Sequence, residues 1–429
     1  MTLRTGLLDV RPLRTSPEFR RLWGSSMLGA LGGQIAVVAV LFQVWDMTRN
    51  PFWTGAIGLA NAIPLIVFGL VGGTLADAVD RRTLVRWATV GQAAAGLGLA
   101  VQAAAGVQSL WLVLGLVSAQ GAASAIGAPA RRTFIPRLLG PEQVGAGIAL
   151  QMLTFQGAML IGPALGGLII GQWGVGACYL TFASMVVLSL YGIVRLPSMP
   201  PEGAGTRPDV RSTVAGFAYV LQRPVLRGSF ASDLAATLLS MPVALFPLVN
   251  EVRFGGDPET LGLFLSCIAI GGMTAGLFSG LVTRADRPGP IQLGAAAVWG
   301  VALAVFGLAG PLWLALALLV VAGAADTVSV TSRGVMIQLA TPDSHRGRVS
   351  AVDHIVGVAG PDVGNLRAGV VAGLSSAPIA LATGGLACAG LVGWIALRNR
   401  ALRDFRISTV ASVRCLAENG PETADEVGR

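Results

Sequence analysis

The sequence has no lysine, two histidines, four cysteines and 12% charged residues in a chain of 429. A soluble domain carries about 25% charged residues, so half the charge needed to cover a soluble surface is missing. That excludes a large soluble enzyme, a disordered chain, a coiled coil and a nucleic-acid-binding module. Cys178, Cys267, Cys388 and Cys415 show no metal-ligand spacing and no disulfide framework. No metal, cofactor or enzymatic activity is expected, because an intramembrane enzyme needs clustered His, Glu or Ser and none forms around His345 or His354. Without lysine there is no G-x-x-x-x-G-K-[ST] phosphate loop, so this chain alone does not run on ATP. The N-terminal stretch to Arg21 stays polar and reads as lacking a signal peptide.

Apolar length is in excess. The chain is 53% hydrophobic with a mean hydropathy of +0.69. Its 58 glycines lie within apolar runs, as membrane helices tolerate. The reading is an all-α integral membrane protein, since a membrane helix needs about 20 mostly apolar residues. Twelve such stretches are found: Leu22–Trp45, Thr54–Ala76, Thr83–Val101, Ser109–Ala128, Val144–Ile170, Trp173–Val194, Leu226–Val249, Glu259–Val282, Ile291–Leu308, Pro311–Val330, Val349–Leu374 and Pro378–Leu397.

The arginines orient them. Arg4, Arg11, Arg14, Arg20 and Arg21 precede the first span, Arg81, Arg82 and Arg86 follow the second, and Arg131, Arg132 and Arg137 follow the fourth. The same alternation continues to Arg398, Arg400, Arg403 and Arg406, while the opposite loops carry Arg49 and Arg253. The positive-inside rule then places both termini in the cytoplasm, with the protein in the cytoplasmic (inner) membrane of its cell. The expected organisation is a cytoplasmic N-terminal segment 1–21, a six-helix bundle 22–195, a cytoplasmic linker 196–225, a second six-helix bundle 226–397 and a disordered cytoplasmic tail 398–429. Pro197, Pro200, Pro201 and Pro208 mark the linker, and Val210–Leu221 reads as an amphipathic helix behind it.

The halves repeat with an offset of roughly 200 residues. Arg132 to Pro141-Glu142 after span four has the spacing of Arg333 to Pro342-Asp343 after span ten, and Gly162-Pro163 in span five matches Gly360-Pro361 in span eleven. Two parallel six-span repeats describe the major facilitator architecture.

The motifs carry the resemblance further. Gly72-Gly73-Thr-Leu-Ala-Asp77-Ala-Val-Asp80-Arg81-Arg82 is similar to the major facilitator loop signature G-x-L-A-D-x-x-G-R-R, with Asp80 in place of its glycine. The resemblance implies that Gly73, Asp77, Arg81 and Arg82 form a gating latch at the cytoplasmic face. Ala158-Met-Leu-Ile-Gly162-Pro163-Ala-Leu-Gly166-Gly167 resembles the antiporter motif of the superfamily. Proton-coupled multidrug exporters of this fold carry an arginine three positions before Gln-Gly, and here Val117 stands before Gln120-Gly121. With Arg11–Trp23, Ala130-Arg131-Arg132 and Gly347-Arg348-Val-Ser-Ala351, the stretch from about Leu8 to Phe405 looks like the enterobactin-exporter branch of the superfamily. The resemblance implies a monomer that exports a siderophore or similar small amphiphilic metabolite in exchange for protons. Macrolide efflux proteins share much of the pattern, so drug efflux stands as the alternative.

An ionisable group inside a span costs about 2.5–3.5 kcal/mol on insertion scales, so it must face a cavity or a partner. Candidate coupling groups are Asp233, Asp326 or Asp353, with His354 beside the last. Asp362 and Arg367 lie deeper in the same span. Gln34, Gln43, Asn61 and Gln120 are candidate cavity-lining groups. The expected partners are a small-molecule substrate, protons and the bilayer, with no nucleic acid.

Overall fold

In the computed structural model, residues 9–200 and 210–408 are described, without the side chains of Leu70, Val71, Thr74, Asp77, 210–213, Asp343 and Ser344. The architecture is all-helical over these residues. The first half comprises α1 Pro17–Thr48, α2 Pro51–Ala78, α3 Arg81–Ala104, α4 Leu110–Arg132 and α5 Pro141–Val194. A helix α6, Val210–Gln222, follows. The second half comprises α7 Pro224–Ser240, α8 Phe246–Phe254, α9 Pro258–Leu277, α10 Pro288–Phe306, α11 Leu312–Ala340, α12 Asp343–Leu374 and α13 Ala377–Arg398.

Local chemistry sets the helix starts. The Ser16 hydroxyl accepts the Phe19 N–H at 3.1 Å and the Asn50 side chain accepts the Phe52 N–H at 2.9 Å, each ahead of a proline in the first turn. Such caps satisfy donors that a helix leaves unpaired. α1 therefore begins at Pro17, inside the segment expected to precede the first span.

Ten helical stretches among the described residues are long and apolar enough to cross a membrane. Of three departures from the expected spans, the first and the last explain that count. The fifth and sixth expected spans form one 54-residue helix, α5, whose two arms meet at Gly174 with φ at 80°. That left-handed conformation is open to glycine at no steric cost. The expected Leu226–Val249 is broken after Ser240, and a 3-10 turn, Val243–Leu245, joins α7 to α8. α12 coincides with the eleventh expected span but falls outside the ten, with Arg346, Arg348, Asp353, His354, Asp362 and Arg367 along it. In the linker, α6 forms where the amphipathic helix is expected, and 201–209 lie outside the described residues. In the tail, Arg400–Arg403 form a helical turn, and 409–429 lie outside the described residues.

Within the first half, α1 packs on α5, α2 on α4, and α3 on α4 and α5. Within the second, α11 packs on α9 and α10, and α13 on α10 and α7. Two seams join the halves: α2 against α12 and α5 against α9. The outer surface is apolar, with Trp87 and Trp111 at 70% and 72% exposure. Exposed side chains of that size fit lipid rather than water.

Candidate functional site

The seams are built from backbone. A Cβ on Gly55 would stand 2.7 Å from the Asn365 carbonyl oxygen, and one on Gly58 would stand 3.1 Å from Asp362 Cα. Across the other seam, a Cβ on Gly262 would stand 3.1 Å from the Pro163 carbonyl carbon, and one on Gly167 would stand 2.9 Å from Glu259 Cα. Without a hydrophobic drive between helices in lipid, close packing of small residues makes such contacts. The antiporter-type motif is thus divided between two neighbours. Gly162 and Gly166 face α1 at Gln34 and Ile35, while Pro163 and Gly167 face α9 in the other half. Both seams lie toward the end that carries the turns at Arg49-Asn50 and Ser375-Ser376, the loop end. There Glu251 of the second half accepts from Trp45 and pairs with Arg49, both of the first.

Beside the α2–α12 seam, between the halves, lies a cavity of about 220 Å³. Thr54 and Asn61 of α2, Gln120 of α4, and Asp362 and Asn365 of α12 supply its polar lining, and Val37, Leu41, Ile57 and Val117 its apolar wall. The break between α7 and α8 forms one side, through Val243 and Ala244. Interrupted backbone in a membrane is tolerated where other groups satisfy it or where it lines a cavity. Both conditions hold. The Ala244 N–H donates to Asn365 Oδ1 at 3.0 Å, and the Thr54 hydroxyl donates to the Ala244 carbonyl at 2.8 Å. One partner comes from each half. The sequence reading missed this break, although Pro242 and Pro247 flank it.

Of the four expected cavity residues, Asn61 and Gln120 line this cavity. Gln43 does not. It accepts from Tyr179 Oη at 2.7 Å and exchanges hydrogen bonds with Gln102 at 3.2 and 3.0 Å, a closed neutral network inside the first half. Gln34 is also outside it, packed against Gly162.

The acids expected in the spans converge on one arginine. Arg333 of α11, 5% exposed, forms an ion pair with Asp233 of α7 and another with Asp353 of α12, the latter at 3.2 Å. Its guanidinium carbon lies 6.0 Å from the Phe230 ring centre. Asp326, two turns before Arg333 on α11, is half-buried and interacts electrostatically with Arg333 and Asp233 without an ion-pair contact. Three helices of the second half therefore share a charge cluster that residue spacing along one helix could not reveal. His354 points elsewhere: its Nε2 lies 3.2 Å from Arg132 Nη2 of α4. Arginine has donors only, so the imidazole accepts, and the contact joins the halves at the end opposite the loop end.

The signature loop holds its own half. Asp80 caps α3 through the Thr83 N–H at 2.8 Å, and its other oxygen accepts from the Ser198 hydroxyl at 2.7 Å and the Met199 N–H at 2.6 Å. Partial burial raises the Asp80 pKa, but these bonds outweigh it and bring it down to about 2. The Arg81 N–H donates to the Met199 carbonyl at 3.0 Å, and Arg82 donates to the Leu196 carbonyl at 2.7 Å. Gly73 is half-buried beside Gly72, whose absent Cβ would stand 2.7 Å from the Ile126 carbonyl oxygen. The Asp77 side chain lies outside the described residues.

Two helical halves closed over a cavity by glycine seams define a membrane transporter of the major facilitator type. A solved POT family transporter in complex with 5-aminolevulinic acid superposes with a TM-score of 0.73 at 9% identity, covering 90% of this chain and 97% of its own. The profile of the transmembrane secretion effector family matches residues 9–425, and the chain belongs to that family. Among curated relatives, the enterobactin exporter EntS of Escherichia coli (strain K12) is 27% identical over 409 residues, covering 95% of this chain and 97% of its own. EntS of Citrobacter koseri is 26% identical over 393 residues, covering 91% and 93%. The protein is a transporter and not an enzyme.

Proposed function

We propose that the chain exports a siderophore or similar small amphiphilic metabolite across the cytoplasmic membrane, as a monomeric proton antiporter working by alternating access. The twelve-span reading takes the ten long apolar stretches, counts the arms of α5 separately and adds α12. The arginine distribution then puts both termini in the cytoplasm. On that orientation the loop end faces outward and the seams close the cavity from outside.

The observation that carries the reading is the cavity itself, to which both halves contribute polar groups. Rocking one half against the other about such a site is how a major facilitator exposes it alternately to each side. The Arg333 cluster supports the coupling assignment. Protonating Asp233 or Asp353 would free Arg333 from a partner, and protonating Asp326 would change the charge beside it, either of which would shift how α7, α11 and α12 pack. The Arg132–His354 contact is the corresponding latch on the cytoplasmic side. The signature loop, through Asp80, Arg81 and Arg82, anchors the chain where it leaves the first half.

The cargo is tested by deleting the gene and profiling secreted metabolites under iron limitation. Loss of a siderophore from the medium is expected, and unchanged secretion overturns the assignment. Transport is tested in vesicles with an imposed pH gradient, where the wild type is expected to move cargo against its concentration and to stop when the gradient is collapsed.

A further inference from the structure

The cavity between the halves holds one acid. Among the described residues, Asp362 is the single titratable side chain that lines it, and none of them forms a hydrogen bond or ion pair with its carboxyl. The other polar groups there are in a different state. Asn365 Oδ1 and the Thr54 hydroxyl are committed to the Ala244 backbone. Asn61 and Gln120 are neutral amides. Arg367, five residues on, turns away to the Leu239 carbonyl, and Arg333 is held by Asp233 and Asp353. Among the described residues, no cation therefore pairs with Asp362.

A carboxylate in such a place is costly unless it is paired or protonated. Asp233 and Asp353, by contrast, are both paired with Arg333, so the missing partner at Asp362 sets it apart from them. We propose that Asp362 reads the charge of the cargo: it receives the cationic or hydrogen-bond-donating group of an amphiphile and excludes an anionic one. The cavity volume of about 220 Å³ fits a ring-sized fragment in the closed state, below the roughly 300–1,000 Å³ that encloses a drug-sized ligand. The apolar wall of Ile57 and Val117 takes the ring, and the amides of Asn61 and Gln120 flank the charged end. This rests on the transporter reading above and adds the chemical class of the group that docks.

The test uses the full chain in lipid nanodiscs and three probes of one size: 3-phenylpropylammonium, 3-phenylpropionamide and 3-phenylpropionate. Calorimetric titration is expected to rank the wild type's affinity ammonium first, amide second and carboxylate last. Asp362→Asn, nearly the same size, is expected to weaken the ammonium by about thirtyfold or more while moving the amide by less than about twofold. Asp362→Glu keeps the wild-type order and shows that charge, not shape, is being read. A wild type that binds none of the probes, or an order unchanged in Asp362→Asn, overturns the proposal. If the charge order holds but vesicles show no gradient-driven transport, the antiport reading fails and the assignment of Asp362 stands.

Discussion

Arg132 and Arg333 occupy the same place in the two repeats, and the structure treats them differently. Arg132 is exposed and meets His354 of the other half. Arg333 is buried and holds two acids of its own half. The surroundings differ in the same sense. The first half fills its interior with the neutral Gln43–Gln102–Tyr179 network. The second half has a neutral network too, Gln292 with Ser229 and Ser232, but adds the charged one. Neutral amides and hydroxyls tie helices together without titrating. A buried arginine between carboxylates has states to exchange. On the proposed antiport, one repeat holds shape and the other responds to protons.

The sharpest break of this comparison is removal of each arginine. Arg333→Met leaves Asp233 and Asp353 without their cation and is expected to cost about 3–5 kcal/mol of stability, read as a lower thermal midpoint in detergent. Arg132→Met is expected to cost less than about 1 kcal/mol, as exposed contacts do. Equal losses at the two sites would remove the asymmetry.

The seams come next. Gly262→Leu forces side-chain atoms against the Pro163 carbonyl and is expected to cost about 1–3 kcal/mol and to abolish export. Gly294→Leu, where open space surrounds the glycine, is expected to do neither. Vesicle uptake and thermal unfolding of the two variants check this.

The smallest effect is at Asp80. Its folded pKa, about 2, lies below that of an unfolded carboxylate. The stabilisation is therefore complete above about pH 4 and is lost as pH falls toward the folded value. Because the site is near the surface and solvent-screened, about 1 kcal/mol is expected. Asp80→Asn should flatten the stability curve between about pH 4 and 2 in an acid titration followed by circular dichroism, and leave neutral export near the wild-type rate.

Much of the fold was legible because apolar length and arginine placement are one-dimensional signals. The two arms of α5, helix α12 and helix α6 stand where they are expected, although α12 is too charged to count among the long apolar stretches. What was not legible is what depends on a third helix. Asp326 and Arg333 share a face by spacing, yet Arg333 pairs with Asp233 and Asp353 from two other helices. Gln43 is expected to line a cavity, and it borders one inside the first half rather than the one beside α12, with Gln102 and Tyr179 on neighbouring helices as its hydrogen-bond partners. Asp362 was visible as a deep charge, but its isolation appears only once the arginines around it are seen to be engaged elsewhere.

Proton coupling is tested by export from sealed vesicles as a function of the imposed pH gradient, for the wild type and for Asp233→Asn, Asp326→Asn and Asp353→Asn. At least one of these substitutions is expected to uncouple transport, leaving cargo exchange intact while removing its dependence on the gradient. If all three retain the wild-type dependence, the coupling is not in the Arg333 cluster and the division of labour between the halves is contradicted.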